Sequence, residues 1–221
     1  MLGGRNISRW LVKSNEFILV PHNKHFKYGI PENDLAKNAP ETFLWLRYYQ
    51  KELLETRIQN GKFFNPKLHP FYRLDNVGEY TYAPYKVLWK EQTSSMSAVV
   101  VSSYNKSIPN ADTSLFSRDK EIVVDSKVLM LGLYDEMEAY YVCGIINSQN
   151  VIDVIDGYAI ETNRGVDVLR YIAIPKYDKN NDLHMKIALL SKEIHKKAKE
   201  KMGYSILEKK LNDCVYSLFT A

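Results

Sequence analysis

Three residues in the middle of the chain have the side-chain types that a metal-dependent nuclease needs. Asp112 precedes Asp125-Ser126-Lys127, which interrupts an apolar stretch over residues 122–133. In such nucleases the acidic residues hold Mg²⁺ and a lysine helps to orient the attacking water, so Asp112, Asp125 and Lys127 are candidates for this chemistry. The pattern is short, and a β-turn between two strands explains Asp125-Ser126 as well. We therefore favour the turn and keep the nuclease as an alternative.

The histidines do not form a recognisable metal site in the sequence. His22 and His25 are the only close pair, and no cysteine or glutamate nearby completes a ligand set. His184 and His195 lie in a lysine-rich segment, and we expect both side chains to be exposed. The sequence therefore predicts no bound metal.

A basic and aromatic segment, residues 80–90, has the residue types for contacting a nucleic-acid backbone. Strand alternation places Tyr85 and Trp89 on one face, and Lys86 and Lys90 on the other. Lysine neutralises phosphate or donates to guanine, and tyrosine hydroxyls reach phosphate oxygens. A half-buried strand with solvated lysines is the alternative that composition leaves open.

A long polar loop, residues 106–119, follows this segment, and long loops in compact domains are usually functional or mobile. Basic and aromatic residues cluster in the segment and around the loop, and they are our candidate DNA contacts. The candidates are Tyr82, Lys86, Trp89, Lys90, Tyr104, Asn105, Lys106, Arg118 and Lys127. An alternating strand could equally turn Trp89 into the core.

The elements that must position these residues are strands in the middle of the chain and helices towards both ends. Apolar stretches bounded by polar residues predict strands over residues 16–21, 85–90, 98–102, 122–125, 127–133 and 168–175. Helices are predicted over residues 40–59 and from Asp135, which is followed by Glu138 in a capping-box pattern. Asp182 and Ser205 are expected to begin two final amphipathic helices, with Gly203 ending the first.

These elements predict a mixed α/β fold with a largely antiparallel or mixed sheet, flanking helices and a C-terminal helical pair. We expect an α/β domain over residues 1–180 and the helical pair over residues 181–221, packed on the body or on a partner. An interaction module that docks a catalytic subunit is a further alternative. An exposed apolar stripe on the last helix would favour it, formed by Leu207, Leu211, Val215 and Leu218.

Composition limits the class of protein. The 221 residues suffice for one sizeable domain or a body with a helical appendage. No apolar run approaches the roughly 20 residues of a membrane span, and the basic N-terminal segment is not a secretory signal peptide. Cys143 and Cys214 are far apart in sequence, which predicts two reduced core thiols in a cytoplasmic protein.

The net charge of +4 is only weakly suggestive of nucleic-acid binding, because the positive charge is concentrated near the C-terminus. Residues 183–210 hold eight lysines and three glutamates, so the rest of the chain is close to neutral. DNA binding by the body must then depend on a local patch. The lysines of residues 196–201 are expected to be a solvated helix end and a minor electrostatic contributor.

Five segments occur in the order and spacing of a known family. They are Leu2-Gly-Gly-Arg-Asn-Ile-Ser-Arg-Trp10, Pro40-Glu-Thr-Phe-Leu-Trp-Leu46, Phe71-Tyr-Arg-Leu-Asp-Asn-Val-Gly-Glu-Tyr-Thr-Tyr-Ala-Pro-Tyr-Lys-Val-Leu-Trp-Lys90, Glu138-Ala-Tyr-Tyr-Val-Cys-Gly-Ile-Ile-Asn-Ser148 and Leu169-Arg-Tyr-Ile-Ala-Ile-Pro-Lys-Tyr177. Together they resemble the TaqI-like C-terminal specificity domain of N6-adenine DNA methyltransferases and of type II restriction–modification enzymes. The resemblance spans about residues 2–200, and Asn6 stands where the family often has aspartate.

The resemblance implies that the chain selects a DNA sequence and holds the duplex in register. A catalytic domain would meanwhile extrude the target adenine and methylate it. Base edges would be read in the major groove, and the backbone would be held by lysine, arginine, tyrosine and serine. The expected partners are therefore double-stranded DNA and a methyltransferase or restriction catalytic domain or subunit, with no membrane involved.

The residues needed for methyl transfer are missing from this sequence. It has no Asn-Pro-Pro-Tyr-type adenine pocket and no glycine-rich loop for S-adenosylmethionine. We therefore expect no cofactor in this chain, S-adenosylmethionine only in the catalytic domain, and neither methylation nor cleavage by the chain alone. Both an excised C-terminal domain and a separate specificity subunit agree with this expectation.

Overall fold

The computed structural model describes residues 1–13, 16–60, 64–103, 121–158, 164–165, 169 and 172–220. The chain divides into two compact units. Unit 1 consists of Met1–Phe17 and Ala83–Ala221, and unit 2 of Ile18–Tyr82. The C-terminal helical pair belongs to unit 1.

The fold is mixed α/β, as predicted. The described residues form seven α-helices, two short 3₁₀ turns (Gly4–Asn6 and Glu79–Tyr82) and two small antiparallel sheets. In chain order the main elements are β1 (Ile7–Ser8), β2 (Leu11–Val12), α1 (Glu32–Asn38), α2 (Pro40–Tyr48), α3 (Gln50–Asn60), β3 (Tyr85–Lys90), β4 (Ala98–Ser102), β5 (Val128–Leu133), α4 (Glu136–Ile146), α5 (Gln149–Tyr158), α6 (Asp182–Lys199) and α7 (Ser205–Thr220). No helix in these described ranges is long and apolar enough to cross a membrane.

The larger sheet has β3 in the centre, with β4 and β5 antiparallel to it on either side. These are three of the predicted strands, with nearly the predicted bounds. Of the predicted strand over residues 122–125, only Val124 pairs, in an isolated bridge to Leu2. The predicted strand over residues 16–21 is wrong, because those residues have no regular secondary structure, and residues 172–175 are also not a strand.

Both faces of this sheet are covered, which is why β3 and β4 are almost continuously buried. One face carries Val87 and Trp89 into the main core, together with α4, α6 and α7. The other face carries Leu88 into a second cluster, which includes Leu2 and Ile7 of the N-terminal segment. A strand between two apolar layers has no solvated face, so the side chains on both of its faces are removed from water.

Helix α4 occupies the middle of unit 1. The Asp135 side chain caps it by accepting a hydrogen bond from the Glu138 amide at 2.9 Å, as predicted. Its residues are apolar around most of the helix, as expected for a helix packed between a sheet and other helices. At Gly144 a β-carbon would lie 3.1 Å from the β-carbon of Ser191 on α6, so the missing side chain permits the close approach of the two helices.

The terminal helices form the predicted pair, with small differences at their ends. Asn181, rather than Asp182, caps α6 by accepting hydrogen bonds from two backbone amides. Helix α6 ends at Lys199, before Gly203, and Lys201 adopts a positive φ of 58°.

The predicted apolar stripe of α7 faces the core of unit 1. Leu211 and Val215 are fully buried, and Leu207 and Leu218 pack against the same core cluster. These four side chains therefore do not form an exposed docking surface, and the stripe lends no support to the interaction-module alternative.

The N-terminal segment is part of the core of unit 1. The Trp10 indole donates to Glu208 on α7 at 2.8 Å, and Arg9 donates to the Asn147 carbonyl oxygen at 2.6 Å. Leu2 and Ile7 are completely buried. The segment that resembles the entry of a specificity domain therefore has a packing role here.

Unit 2 contains α1, α2 and α3 around a small apolar cluster formed by Leu35, Leu46, Phe71 and Tyr72. The single helix predicted over residues 40–59 is divided into α2 and α3 at Tyr49. The Tyr72 hydroxyl donates to the Ile30 carbonyl oxygen at 2.6 Å, which fixes the end of the segment before α1.

Candidate nucleic-acid interface

Lys86 lies inside unit 1, although a lysine in a basic and aromatic strand predicts a surface contact. Its side chain is 1% exposed and donates to the Ala83 carbonyl oxygen at 2.9 Å, to Ser103 Oγ at 3.2 Å and to Glu121 Oε1 at 2.6 Å. Burial lowers the pKa of Lys86, and the hydrogen bond and charge of Glu121 oppose this decrease. A buried ammonium needs three acceptors, and this one has them.

These contacts join the two ends of the segment over residues 104–120. Ser103 precedes the segment and Glu121 follows it, and Ser103 Oγ also donates to Glu121 Oε1 at 2.8 Å. The Lys86 ammonium bonds to both residues. Ser103 and Glu121, which flank the segment, are therefore held together beside the Tyr85–Ser102 end of the β3–β4 ladder.

Trp89 is also buried, with 3% of its surface exposed, and packs in the main core. Its indole N–H donates to the Arg164 carbonyl oxygen at 3.0 Å. The predictions that Lys86 and Trp89 contact DNA directly are therefore wrong for this arrangement, because neither side chain reaches the surface. The physical reason is the second apolar layer on the sheet, which a period-two pattern does not reveal.

Lys90 and Lys127 come together at the opposite end of β3. The ladder places Lys90 opposite Val128, the residue after Lys127, and the Glu91 amide donates to the Lys127 carbonyl oxygen at 3.1 Å. The Lys127 side chain is 60% exposed and lies 3.3 Å from Glu91 Oε2. A six-residue strand spans roughly 17 Å between its terminal residues. Lys90 and Lys127 therefore lie at one end of β3, and Ser103 and Glu121, which flank the polar segment over residues 104–120, lie at the other end. We call Ser103 and Glu121 the base of the polar segment.

The remaining candidates are Tyr82 and four residues that the structure does not describe. Tyr82 belongs to unit 2, where it ends a 3₁₀ turn with its hydroxyl buried. Tyr104, Asn105, Lys106 and Arg118 lie outside the described residues, so their contacts with DNA stay predictions.

Tyr134 is a surface residue that the sequence analysis missed. It directly follows β5, whose last residue Leu133 pairs with Tyr85, and its side chain is 73% exposed. It therefore lies at the same end of the sheet as the base of the polar segment. The sequence did contain a signal for this exposure. Tyr134 lies between a predicted strand and the predicted helix cap Asp135, and a large aromatic residue at such a junction is not buried by either element.

The Asp125-Ser126-Lys127 sequence forms a turn. The Val128 amide donates to the Asp125 carbonyl oxygen at 3.0 Å, the i to i+3 bond of a β-turn, and Asp125 Oδ1 accepts from the Ser126 amide at 2.7 Å. The Lys127 ammonium pairs with Glu91. This geometry agrees with the turn that we favoured, whereas Asp112 lies outside the described residues and the nuclease alternative stays untested.

Metal-binding clusters of three or more histidine, cysteine or acidic residues do not occur in the part of the chain that the structure describes. His22 Nε2 accepts the Leu74 amide at 2.8 Å, which occupies one of its two possible ligand atoms. His184 and His195 are buried, so the prediction that both are exposed is wrong. Each accepts a backbone amide, from Asp178 and Val100 respectively, and this pairing makes their burial possible.

Cys143, His195 and Asn147 have the residue types of a cysteine hydrolase, and the fold brings them together. Cys143 Sγ lies 3.8 Å from His195 Nε2 and 3.6 Å from Asn147 Nδ2. Complete burial raises the pKa of the Cys143 thiol and lowers the pKa of His195 to about 4. His195 Nε2 already accepts the Val100 amide at 3.0 Å, so it cannot take the thiol proton. The group is structural, because a reactive cysteine needs a lowered pKa and access to solvent.

An open cleft of about 510 Å³ lies beside the start of α4. Its lining includes Asp135, Glu138 and Asp178 against Lys176 and Lys179. Carboxylates outnumber the lysines, so this cleft does not attract a polyanion.

Comparison with known proteins adds no further constraint on the function. The chain matches no protein-family model and no curated protein.

Proposed function

We propose that this chain is the DNA-recognition part of a restriction–modification N6-adenine methyltransferase. It would bind double-stranded DNA and select the sequence on which a separate catalytic domain or subunit acts. S-adenosylmethionine would bind to that catalytic part, and the present chain would carry out neither methylation nor cleavage. The proposal starts from the five segments that resemble a specificity domain in order and spacing.

One structural observation carries the proposal. The ends of the polar segment over residues 104–120 are joined by hydrogen bonds among Lys86, Ser103 and Glu121. Binding residues in proteins are often carried by loops that a rigid scaffold positions. The scaffold here is a strand buried on both faces, and the segment contains Lys106 and Arg118 among the predicted contacts.

Lys90 and Lys127, at the other end of β3, support a contact with the DNA backbone. Lys90 pairs with Val128, the residue after Lys127, in the β3–β5 ladder, and Lys127 is well exposed. Exposed lysines neutralise phosphates without reading sequence, whereas a loop can reach base edges in the groove. We therefore assign backbone binding to this lysine pair and base reading to the polar segment.

The test uses the full chain and a pool of randomised duplexes. Fluorescence anisotropy at low and near-physiological salt measures the affinity, and sequencing of the retained duplexes measures selectivity. Enrichment of one short motif would support sequence reading, whereas salt-sensitive binding without enrichment would leave only a backbone clamp. The absence of binding at low salt would contradict the proposal.

Variants in the polar segment assign the roles. Lys106→Ala and Arg118→Ala should reduce the enrichment of the selected motif, with a loss of about 1–3 kcal/mol for a residue that contacts a base. Lys37→Ala removes an exposed lysine of α1 in unit 2 and is the matched control. Equal effects of all three substitutions would show that only net charge matters, and would contradict base reading by the segment.

A further inference from the structure

Lysines are concentrated where α6 ends and α7 begins. Residues 196–210 contain six lysines and two glutamates, which gives them a net charge of +4. The two helices pack against each other, and the connection over residues 200–204 is short. The last turn of α6 therefore lies beside the first two turns of α7. We call residues 196–201 and 209–210 the basic corner.

The two glutamates of residues 196–210 do not neutralise these lysines. Glu208 is turned inward, where its Oε1 accepts the Trp10 indole N–H at 2.8 Å and lies 3.3 Å from Arg9 Nη2. Glu200 is exposed and contributes a single negative charge. Four exposed lysines of the basic corner form no ion pair with any residue that the structure describes, and they are Lys196, Lys201, Lys209 and Lys210. Their mutual repulsion destabilises the fold unless an anion offsets it.

Helix electrostatics explain only part of this charge. Lysines in the last turn of α6 are favoured by the helix dipole, because its negative end lies there. Lys209 and Lys210 lie near the start of α7, where the dipole gives a lysine no advantage. A solvated helix end therefore accounts for the lysines of α6, but not for the two further lysines that α7 adds beside them.

The basic corner is connected to the end of the larger sheet at which Lys90 lies. Trp10, whose indole binds Glu208 of α7, donates its backbone amide to the Ala98 carbonyl oxygen at 3.1 Å. Ala98 pairs with Trp89, the residue before Lys90. One continuous set of contacts thus joins the start of α7 to the end of β3 to which we assign backbone binding.

We propose that the basic corner binds the phosphate backbone of a DNA duplex, in addition to the contacts proposed above. Exposed lysines neutralise phosphates and release counterions, and they need no shaped pocket to do so. Lysines spread over two helices suit a ligand with many negative charges better than a single small anion. The inference rests on the proposed function in taking DNA as the polyanion, but it concerns affinity that is independent of sequence.

The test compares variants of the full chain that remove or keep the charge of the basic corner. Lys209→Gln/Lys210→Gln removes two exposed charges, and Lys209→Arg/Lys210→Arg keeps them. Lys37→Gln/Lys51→Gln removes the same net charge from exposed positions of unit 2 and is the matched control. Because all four positions are exposed, each variant should fold. Fluorescence anisotropy with a randomised duplex pool across a salt series measures affinity and salt dependence, and sequencing of the retained duplexes measures selectivity.

Wild type, the arginine variant and the unit 2 control should show the same salt dependence. Lys209→Gln/Lys210→Gln should lose about one unit of logarithmic slope for each lysine that contacts a phosphate, and should bind more weakly at low salt. Any enriched motif should be unchanged, because backbone contacts carry no sequence information. A wild-type salt dependence in Lys209→Gln/Lys210→Gln, or an equal loss in the unit 2 control, would overturn the inference.

The same data separate this inference from the proposed function. Enrichment of a motif by wild type, with an unchanged slope in Lys209→Gln/Lys210→Gln, would support the proposed function and overturn the inference. Salt-sensitive binding without enrichment, with a reduced slope in that variant, would support the inference and contradict the selection of a sequence.

Vesicles that contain phosphatidylserine distinguish DNA from an anionic membrane. They are needed because Met202 and Ile206 are exposed apolar residues of the same turn and could contact lipid. Duplex binding that depends on Lys209 and Lys210, without binding to vesicles, would support the inference. Vesicle binding that depends on these lysines, with duplex binding that does not, would overturn it.

Discussion

The Lys86 ammonium and the Glu121 carboxylate form an ion pair of 2.6 Å whose two members differ strongly in exposure. The Lys86 side chain is 1% exposed and the Glu121 side chain 30% exposed. Lys86 is therefore a positioning residue that holds the two ends of the polar segment beside the sheet. Because of this difference in exposure, we expect substitutions of Lys86 and of Glu121 to lower the stability of the protein by different amounts.

Removing Glu121 should cost more stability than removing Lys86. Glu121→Ala leaves a buried ammonium with only neutral acceptors, so we expect a loss of about 3 kcal/mol in the free energy of unfolding. Lys86→Met leaves a carboxylate that solvent can reach, so we expect a loss of about half that size. Urea denaturation of both variants and of wild type measures the difference.

The double variant Lys86→Met/Glu121→Leu is the control for this prediction. It removes both charges and should be more stable than Glu121→Ala alone. Equal stabilities of the two single variants would contradict the asymmetric pair. A double variant less stable than both single variants would show that the pair contributes net stability to the fold.

The strands of the larger sheet could be predicted from the sequence, but the location of their side chains could not. Alternation and β-branched residues gave β3, β4 and β5 almost to the residue. The same alternation suggested a solvated face for Lys86, and the structure covers that face with Leu2 and Ile7. Those residues are more than 70 positions away in sequence. Contacts of that range leave no trace in a local pattern.

Helix ends could be predicted where a side chain caps the helix, as at Asp135. The division of the first long helix at Tyr49 could not, because no glycine or proline marks the break and Arg47, Gln50 and Lys51 around it are good helix formers. The burial of His195 was missed for a related reason. The partner that permits it, the Val100 amide, lies on a distant strand.

Trp89 should contribute to stability and not to DNA affinity. Trp89→Phe removes the hydrogen bond to the Arg164 carbonyl oxygen and leaves that buried oxygen without this donor, at a cost of about 1–2 kcal/mol. Urea denaturation measures this cost, and anisotropy should give an unchanged duplex affinity. Trp45→Phe changes an exposed tryptophan and should leave stability within about 0.5 kcal/mol of wild type. A tenfold lower duplex affinity of Trp89→Phe would contradict this prediction and indicate that Trp89 contacts DNA.

Glu91 should limit the attraction of DNA to Lys127. Glu91→Gln removes the carboxylate 3.3 Å from the Lys127 ammonium, so duplex affinity at low salt should rise. Lys127→Ala should lower that affinity and reduce the dependence on salt by about one unit of logarithmic slope. Anisotropy titrations across a salt series measure both effects. If Lys127→Ala left the salt dependence unchanged, the end of the sheet at Lys90 and Lys127 would not face the duplex.

Gly144 should be required for the packing of α4 on α6. A β-carbon there would lie 3.1 Å from the Ser191 β-carbon and 3.2 Å from Ile187 Cγ2. Gly144→Ala gains about 1 kcal/mol of helix propensity, but crowding should outweigh the gain and leave a net loss of about 1 kcal/mol. Gly157→Ala on α5 is the control, because no atom lies within 4 Å of its added carbon, and this substitution should stabilise the protein. Urea denaturation that found both variants stabilised would contradict a close α4–α6 contact.

His195 should make the protein lose stability in mild acid. Its side chain is buried between the rings of Trp10 and Tyr140, and its pKa is lowered from 6.5 to about 4, mainly by burial. Between these values the unfolded chain binds a proton that the folded chain does not. The free energy of unfolding should therefore fall as the pH decreases from 6.5 to 4, by up to about 3 kcal/mol from this residue.

Comparison of His195→Gln with wild type isolates this contribution. The amide oxygen of the substituted glutamine can still accept the Val100 amide, and this side chain does not titrate. The variant should therefore have a flatter stability profile between pH 6.5 and 4. His25→Gln changes an exposed histidine and should keep the wild-type profile. Urea denaturation at several pH values measures all three. Parallel profiles for wild type and His195→Gln would mean that the folded protein accommodates the charged imidazole, and that other groups cause its sensitivity to acid.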